Sequence, residues 1–278
     1  MKRKLKVLHI PFLVMTMAFT SVIAQTREQL TKDAESGQVA AQVSLARMYL
    51  EGIDGEKNRE AAFRWFLKAA RAGDREAQGK VSNMYSFGEG VEKDEKRAFF
   101  WVKKSAELGV ASAQYNLAVM YDNATGTEKS SDLAIAWYTK AANQEYVLAQ
   151  NALAWKYNKG IGILQDNSKA ALWYQKSAEN GDPAGQYNIG RMLAKGEGIE
   201  RDPEKAFYWW KKSAEQGFLL AQSRLGFCFE KGLGIARNVD EAYKWWTKAA
   251  DAGNLVARKN LEILCRTSPE ACVANLVN

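Results

Sequence analysis

Two stretches decide how this chain reads: DEKRAFFWVKKSAELG over Asp94–Gly109 and DPEKAFYWWKKSAEQG over Asp202–Gly217. Their tryptophans, Trp101 and Trp209, belong to a series spaced 36 residues apart: Trp65, Trp101, Trp137, Trp173, Trp209 and Trp245. A fixed period in so rare a residue means one structural unit copied six times. Other columns keep the period. Alanine stands three before each Trp, lysine three after and alanine five after, as in Ala206, Lys212 and Ala214. That spacing suits one face of a helix, with the indole expected to fill the groove against a partner helix and the lysine turned outward. Seven before each Trp stands a residue that can accept from first-turn amides: Asn58, Asp94, Ser130, Asp166, Asp202 and Asn238. Pro203 after Asp202 strengthens the start, and Asn238 with Glu241 reads as a capping-box variant. Gly73, Gly109, Gly181, Gly217 and Gly253 supply left-handed stops. Glu145 replaces that glycine in the third copy, which predicts a less regular turn there.

Working outward, a second helix precedes this one. Ala41, Leu45 and Tyr49 are spaced i, i+4, i+8, and the triplet recurs to Ala149, Leu153 and Tyr157 before softening to Gly185, Ile189, Leu193 and Ala221, Leu225, Phe229. The two helices are joined by Gly-x-Gly-Val/Ile loops such as Gly88–Val91 and Gly196–Ile199. These glycines permit positive φ in a tight bend. Repeat one, with Gly52 and Gly55, and repeat three, over Asp122 to Ser130, depart from that loop.

A pair reading A-Q-x-x-L-x-x-x-Y-x-x-G-x-G-V and then D-x-x-K-A-x-x-W-Y-x-K-A-A-x-x-G resembles the Sel1-like repeat, over about residues 27–264. The resemblance implies an all-α fold: a right-handed superhelical solenoid of antiparallel helix pairs, related to tetratricopeptide arrays. The expected organisation is a signal peptide at 1–24, a capping helix at 25–40, six repeats (41–76, 77–112, 113–148, 149–184, 185–220, 221–256), and a capping helix with tail at 257–278.

The signal peptide rests on a basic head (Lys2, Arg3, Lys4, Lys6), an apolar Val7–Val22 run and a small-residue site ending at Ala24. It predicts a periplasmic or secreted protein with no membrane span once it is cleaved. Removing its four bases from 39, against 32 acids, leaves a balance of 35 − 32 = +3. So modest a charge does not argue for nucleic acid. The single histidine, His9, lies in that segment. Without it, Ser-His-Asp and Cys-His catalysis and His-bearing zinc sites are lost. There is no Gly-x-Ser-x-Gly and no Ser-x-x-Lys, and the Gly-x-Gly loops lack the third glycine and preceding strand of a nucleotide fingerprint. No catalytic, cofactor-binding or metal-ligating residue is therefore assigned, and no cofactor is expected.

Of three cysteines, Cys228 takes a column otherwise held by Met48, Met84, Met120 and Met192 and reads as buried. In an oxidising compartment Cys265 can bridge to Cys272 or to Cys228.

A partner is expected on the first helices, whose faces between the core columns vary from copy to copy. One column runs Val43, Gly79, Tyr115, Asn151, Tyr187, Ser223; another runs Arg47, Asn83, Val119, Trp155, Arg191, Phe227. Trp155 is the only tryptophan outside the second helices. With Tyr115, Asn116, Asn151, Tyr187, Asn188, Arg191, Arg224 and Phe227 it forms an expected binding patch of the residue types that dominate interface energy. The resemblance implies a non-enzymatic scaffold or adaptor for a protein partner: an effector, a receptor or an envelope complex component. It also offers narrower readings: a periplasmic immunity protein that neutralises a type VI secretion phospholipase effector, or a regulator of envelope signalling. The β-lactamase-like hydrolysis attributed to some relatives finds least support in the residues.

Overall fold

The computed structural model describes residues 27–53, 55–270 and 272. The expected signal peptide and the tail after Cys272 lie outside the described residues. Within them the chain is all-α, a run of helix hairpins with no strand. Two compact units are formed, one up to Lys129 and one from Ser130 onward. The first holds α1 (27–35), α2 (Val39–Glu51), α3 (Arg59–Arg71), α4 (Arg75–Phe87), α5 (Glu95–Glu107) and α6 (Ala111–Asn123). The second holds α7 (Ser131–Asn143), α8 (Val147–Lys159), α9 (Asn167–Glu179), α10 (Pro183–Lys195), α11 (Pro203–Glu215), α12 (Leu219–Lys231), α13 (Val239–Asp251) and α14 (Leu255–Thr267).

Local chemistry explains the helix boundaries. All six expected N-caps accept from the amide three residues on, for example Asp202 Oδ1 from the Lys205 N–H at 2.9 Å and Asn58 Oδ1 from Ala61 at 2.8 Å. The Lys205 amide, then the Lys205 side chain, hold the Asp202 carboxyl below its usual range. Each even-numbered helix from α2 to α12 ends on a left-handed residue, glycine in five cases and Ala124 (φ 57°) in α6. Two sequence expectations change here. Glu145 adopts φ 61°, so the third copy keeps the regular turn and forces a β-carbon into the left-handed region. The loop of repeat three also keeps the shared geometry: Ala124 and Gly126 take the conformations of Gly88 and Gly90.

The second glycine of four of the loops does more than permit a bend. A β-carbon at Gly90, Gly126, Gly198 or Gly234 would collide with backbone at the start of the second helix of the preceding repeat, at Arg59, Glu95, Asn167 and Pro203 respectively. Repeats therefore dock backbone to backbone at this point.

The core column is not the periodic tryptophan. Among the six, only Trp173 is buried and the others are half-buried. The buried position is the next one, held by Phe66, Val102, Tyr138, Tyr174, Trp210 and Trp246, each at most 5% exposed. The expectation that the periodic indole fills the groove is thus corrected. One residue along a helix turns 100°, which is enough to move the core face onto the neighbour. The periodic indole instead lies beneath a lysine. The ammonium of Lys68 sits 3.9 Å from the Trp65 ring centre, Lys140 is 3.9 Å from Trp137 and Lys176 is 4.6 Å from Trp173.

Facing residues are matched in size. Where the core column carries Trp210 or Trp246, the opposing first-helix residue is Gly190 or Gly226, and a β-carbon there would press into the indole. Both indole N–H groups donate to first-helix carbonyls, of Tyr187 and Ser223, at 3.0 Å. A glutamine column completes the stacking. Buried Gln42, Gln78, Gln114, Gln150, Gln186 and Gln222 each donate to the carbonyl of the alanine eight residues earlier, at 3.1–3.3 Å. The carbonyl belongs to the last turn of the preceding helix, where it also accepts from the amide three residues on, so the glutamine adds a second bond that ties the two helices together. At the first end, α1 stands in for a second helix. Its Leu30 packs with Ala34, Ala41, Leu45, Tyr49 and Trp65.

Candidate functional site

The expected patch residues all lie on first helices, but their roles differ. In the first unit, Tyr115 and Asn116 are half-buried on α6. Asn116 joins Gly79, Lys80 and Asn83 of α4 in lining a cleft of about 310 Å³. Gly79 leaves that cleft open because it carries no side chain where the other copies have one.

The remaining residues belong to the second unit. Trp155 on α8 is 47% exposed, although it stands between the buried Ala154 and Lys156. Its neighbours on the same helix face are already bonded. Asn151 Nδ2 donates to Asp182 Oδ2 at 2.7 Å, and Asn151 Oδ1 accepts from Ser177 Oγ at 3.0 Å. The same Asp182 oxygen caps α10 through the Gly185 amide at 2.6 Å. Asn151 therefore holds repeats together, and its amide is not spare for a partner's backbone.

Arg191 on α10 is likewise engaged. Its Nη1 meets Glu197 Oε2 at 2.8 Å and its Nη2 donates to Asn158 Oδ1 at 3.1 Å. Burial alone would raise the Glu197 carboxyl; the Lys195 hydrogen bond and the Arg191 and Lys195 charges together hold it below the usual range. Beneath Arg191, burial pushes the Tyr174 phenol up to about 12, against the opposing pull of the arginine. Asn188 is half-buried on α10, and Tyr187 packs against Phe218 with ring centres 5.5 Å apart.

Arg224 and Phe227 on α12 form a different arrangement. The Arg224 guanidinium lies 5.4 Å from the Trp210 ring and 5.5 Å from the Phe227 ring. Both side chains, with Tyr187, line a cleft of about 350 Å³ whose other walls include Leu220, Asn254, Val256 and Asn260.

Sequence reasoning missed Lys156, Asn158, Glu197 and the α14 side of this cleft. Lys156 was findable. It occupies the methionine column, yet it is only 4% exposed, with its ammonium 5.6 Å from the Tyr138 ring. Asn158 becomes visible only once helices are stacked, because its partner Arg191 lies 33 residues away, whereas Glu197 meets Arg191 from the loop 6 residues on. At the chain's far end Cys265 and Cys272 form a disulfide, and Cys228 is a free buried thiol that burial pushes up to about 12. Among the described residues there is no cluster of three or more metal-ligating side chains and no helix long and apolar enough to cross a membrane.

Comparison with known proteins follows the same repeat. The Sel1 repeat matches six times, at residues 39–74, 75–110, 111–146, 147–182, 183–218 and 219–254. No curated protein matches by sequence. Among solved structures, a protective antigen of uropathogenic Escherichia coli strains is 32% identical with a TM-score of 0.84 over 87% of this chain. The chain spans 52% of the length of that antigen. A Sel1 repeat protein of Oxalobacter formigenes is 30% identical, with a TM-score of 0.68, over 84% of this chain and 95% of its own length. With six matched repeats and relatives of this likeness, the chain belongs to the Sel1 repeat family.

Proposed function

We propose that the chain is an exported, non-enzymatic interaction module that holds a partner protein against its first-helix face, with Trp155 as an anchor. The observation that carries this is Trp155 itself. A large aromatic stands nearly half in solvent on a helix whose flanking columns are buried. Tryptophan is enriched among the few residues that carry most of the binding energy of an interface. Membership of a family whose repeats mediate protein–protein contacts supports the reading. The Cys265–Cys272 disulfide supports export, because such bonds persist in oxidising compartments. So does the likeness to a protective antigen, a molecule that an immune response reaches.

The test is affinity capture from an envelope fraction with the wild-type chain and with Trp155→Ala, followed by mass spectrometry and a binding titration of the captured protein. The expected outcome is a partner whose affinity falls roughly 30-fold or more in the variant, a loss of about 2 kcal/mol. Equal affinity for both chains would remove Trp155 from the interface. A captured phospholipase would give the immunity role, and a captured sensor protein the signalling role. Turnover of a chromogenic β-lactam by the purified chain would overturn the non-enzymatic reading.

A further inference from the structure

The patch contains two arginines in the second unit, and their surroundings differ. Arg191 is neutralised by Glu197 at 2.8 Å and bonded to Asn158 at 3.1 Å. Arg224 is half-buried, and its contacts are the two rings of Trp210 and Phe227. Among the described residues no carboxylate lies within ion-pair distance of it, and none lines the cleft it faces. Two rings within 5.5 Å hold the guanidinium by cation–π contact, which leaves its N–H donors as the recognition element. A partly desolvated guanidinium edge is best satisfied by a carboxylate, which accepts two parallel N–H bonds.

The rest of the cleft is mainly apolar. Leu220 is 52% exposed and Val256 63% exposed, and they stand beside Phe227. Of the two amides, Asn254 is occupied: it caps α14 through Ala257 and donates to the Leu219 carbonyl at 3.3 Å. Asn260 supplies the remaining amide on the cleft wall. At about 350 Å³ the cleft holds one or two side chains of an extended segment, not a whole helix.

We infer that the cleft between α12 and α14 takes an extended partner segment with an Asp or Glu carboxylate on Arg224 and an adjacent apolar side chain against Leu220, Phe227 and Val256. This rests on the proposed interaction role and names the chemistry of the occupant. It makes Arg224, not Arg191, the charged reader of the patch.

The experiment uses the full chain as bait for a phage-displayed library of random twelve-residue peptides. Enriched peptides are then titrated by calorimetry against wild type, Arg224→Gln, Arg191→Gln and Trp155→Ala, with thermal melts to confirm that each variant is folded. The expected result is enrichment of peptides with an acidic residue beside an apolar one. Arg224→Gln should weaken them at least roughly tenfold, and Arg191→Gln less than about twofold. Replacing the peptide's carboxylate by its amide should cost wild type the same factor and cost Arg224→Gln nothing further. Enriched peptides without an acid, indifference to Arg224→Gln, or no enrichment at all each overturn the inference. Peptides lost on Trp155→Ala but unaffected by Arg224→Gln would overturn it while leaving the interaction role standing. Failure of both the peptide selection and the envelope capture would remove both.

Discussion

Trp246 and Lys248 stand two residues apart on α13 and face opposite surroundings. The Trp246 indole is 3% exposed, bonded to the Ser223 carbonyl and seated on Gly226. The Lys248 ammonium is in solvent, 5.3 Å from the Trp245 ring centre. Truncating the first removes a large side chain from a packed site together with its bond to a helix carbonyl; truncating the second removes one exposed cation–π contact. Trp246→Ala should therefore cost about 3–5 kcal/mol and Lys248→Ala no more than about 1 kcal/mol, read from urea unfolding of the two variants. Similar losses would mean that the core column is misassigned. The sequence alone did not separate these columns. The period marks Trp245 because it recurs as tryptophan in every copy, whereas the buried column varies from Phe66 to Val102 to Tyr138 to Trp246. It can vary because the opposing residue adjusts with it, as Gly190 and Gly226 do opposite Trp210 and Trp246. A repeat therefore conserves the residue that every copy places alike and varies the one that adjusts the fit.

At the scale of the helix and its loop, two kinds of glycine have positive φ for different reasons. Gly181 (φ 87°) closes α9 with nothing within 4 Å of where a β-carbon would stand. Gly198 (φ 69°) follows α10, and a β-carbon there would strike the backbone of Asn167 and Ser168. Gly181→Ala should cost only the left-handed strain, about 1–2 kcal/mol. Gly198→Ala should cost clearly more, because α9 and α10 must separate, and it should raise hydrogen exchange at the start of α9. If the two variants melt alike, the loop is not a docking point. The helix boundaries were legible because caps and stops are local chemistry. The loop's second role was not, since its contact lies a full repeat away. The same holds for the binding patch: Trp155 was legible as a break in the pattern, whereas the engagement of Arg191 depends on Asn158 reaching it from a stacked helix and on Glu197 folding back from the loop after α10.

Within each unit, each helix packs chiefly on its neighbours in sequence, with a small further contact between α12 and α14. Stability in such arrays is a sum of local terms, so a lesion stays close to its origin. Breaking the Cys265–Cys272 bond, which ties the last turn of α14 to the residues that follow it, should cost about 2–3 kcal/mol. Hydrogen exchange with and without reductant should show faster exchange in α14 and no change in α7–α9; a uniform change would mean that the array melts as one block. Cys228, buried and with its thiol pushed up to about 12, should resist alkylation at neutral pH in the folded chain.

The loop glycines bear on how such a chain is made. Each seat, at Arg59, Glu95, Asn167 or Pro203, precedes in sequence the loop that occupies it. As the chain leaves the ribosome, every docking surface is complete before the segment that needs it emerges. The array can then assemble in the order of its synthesis, with each new hairpin reading a template already in place.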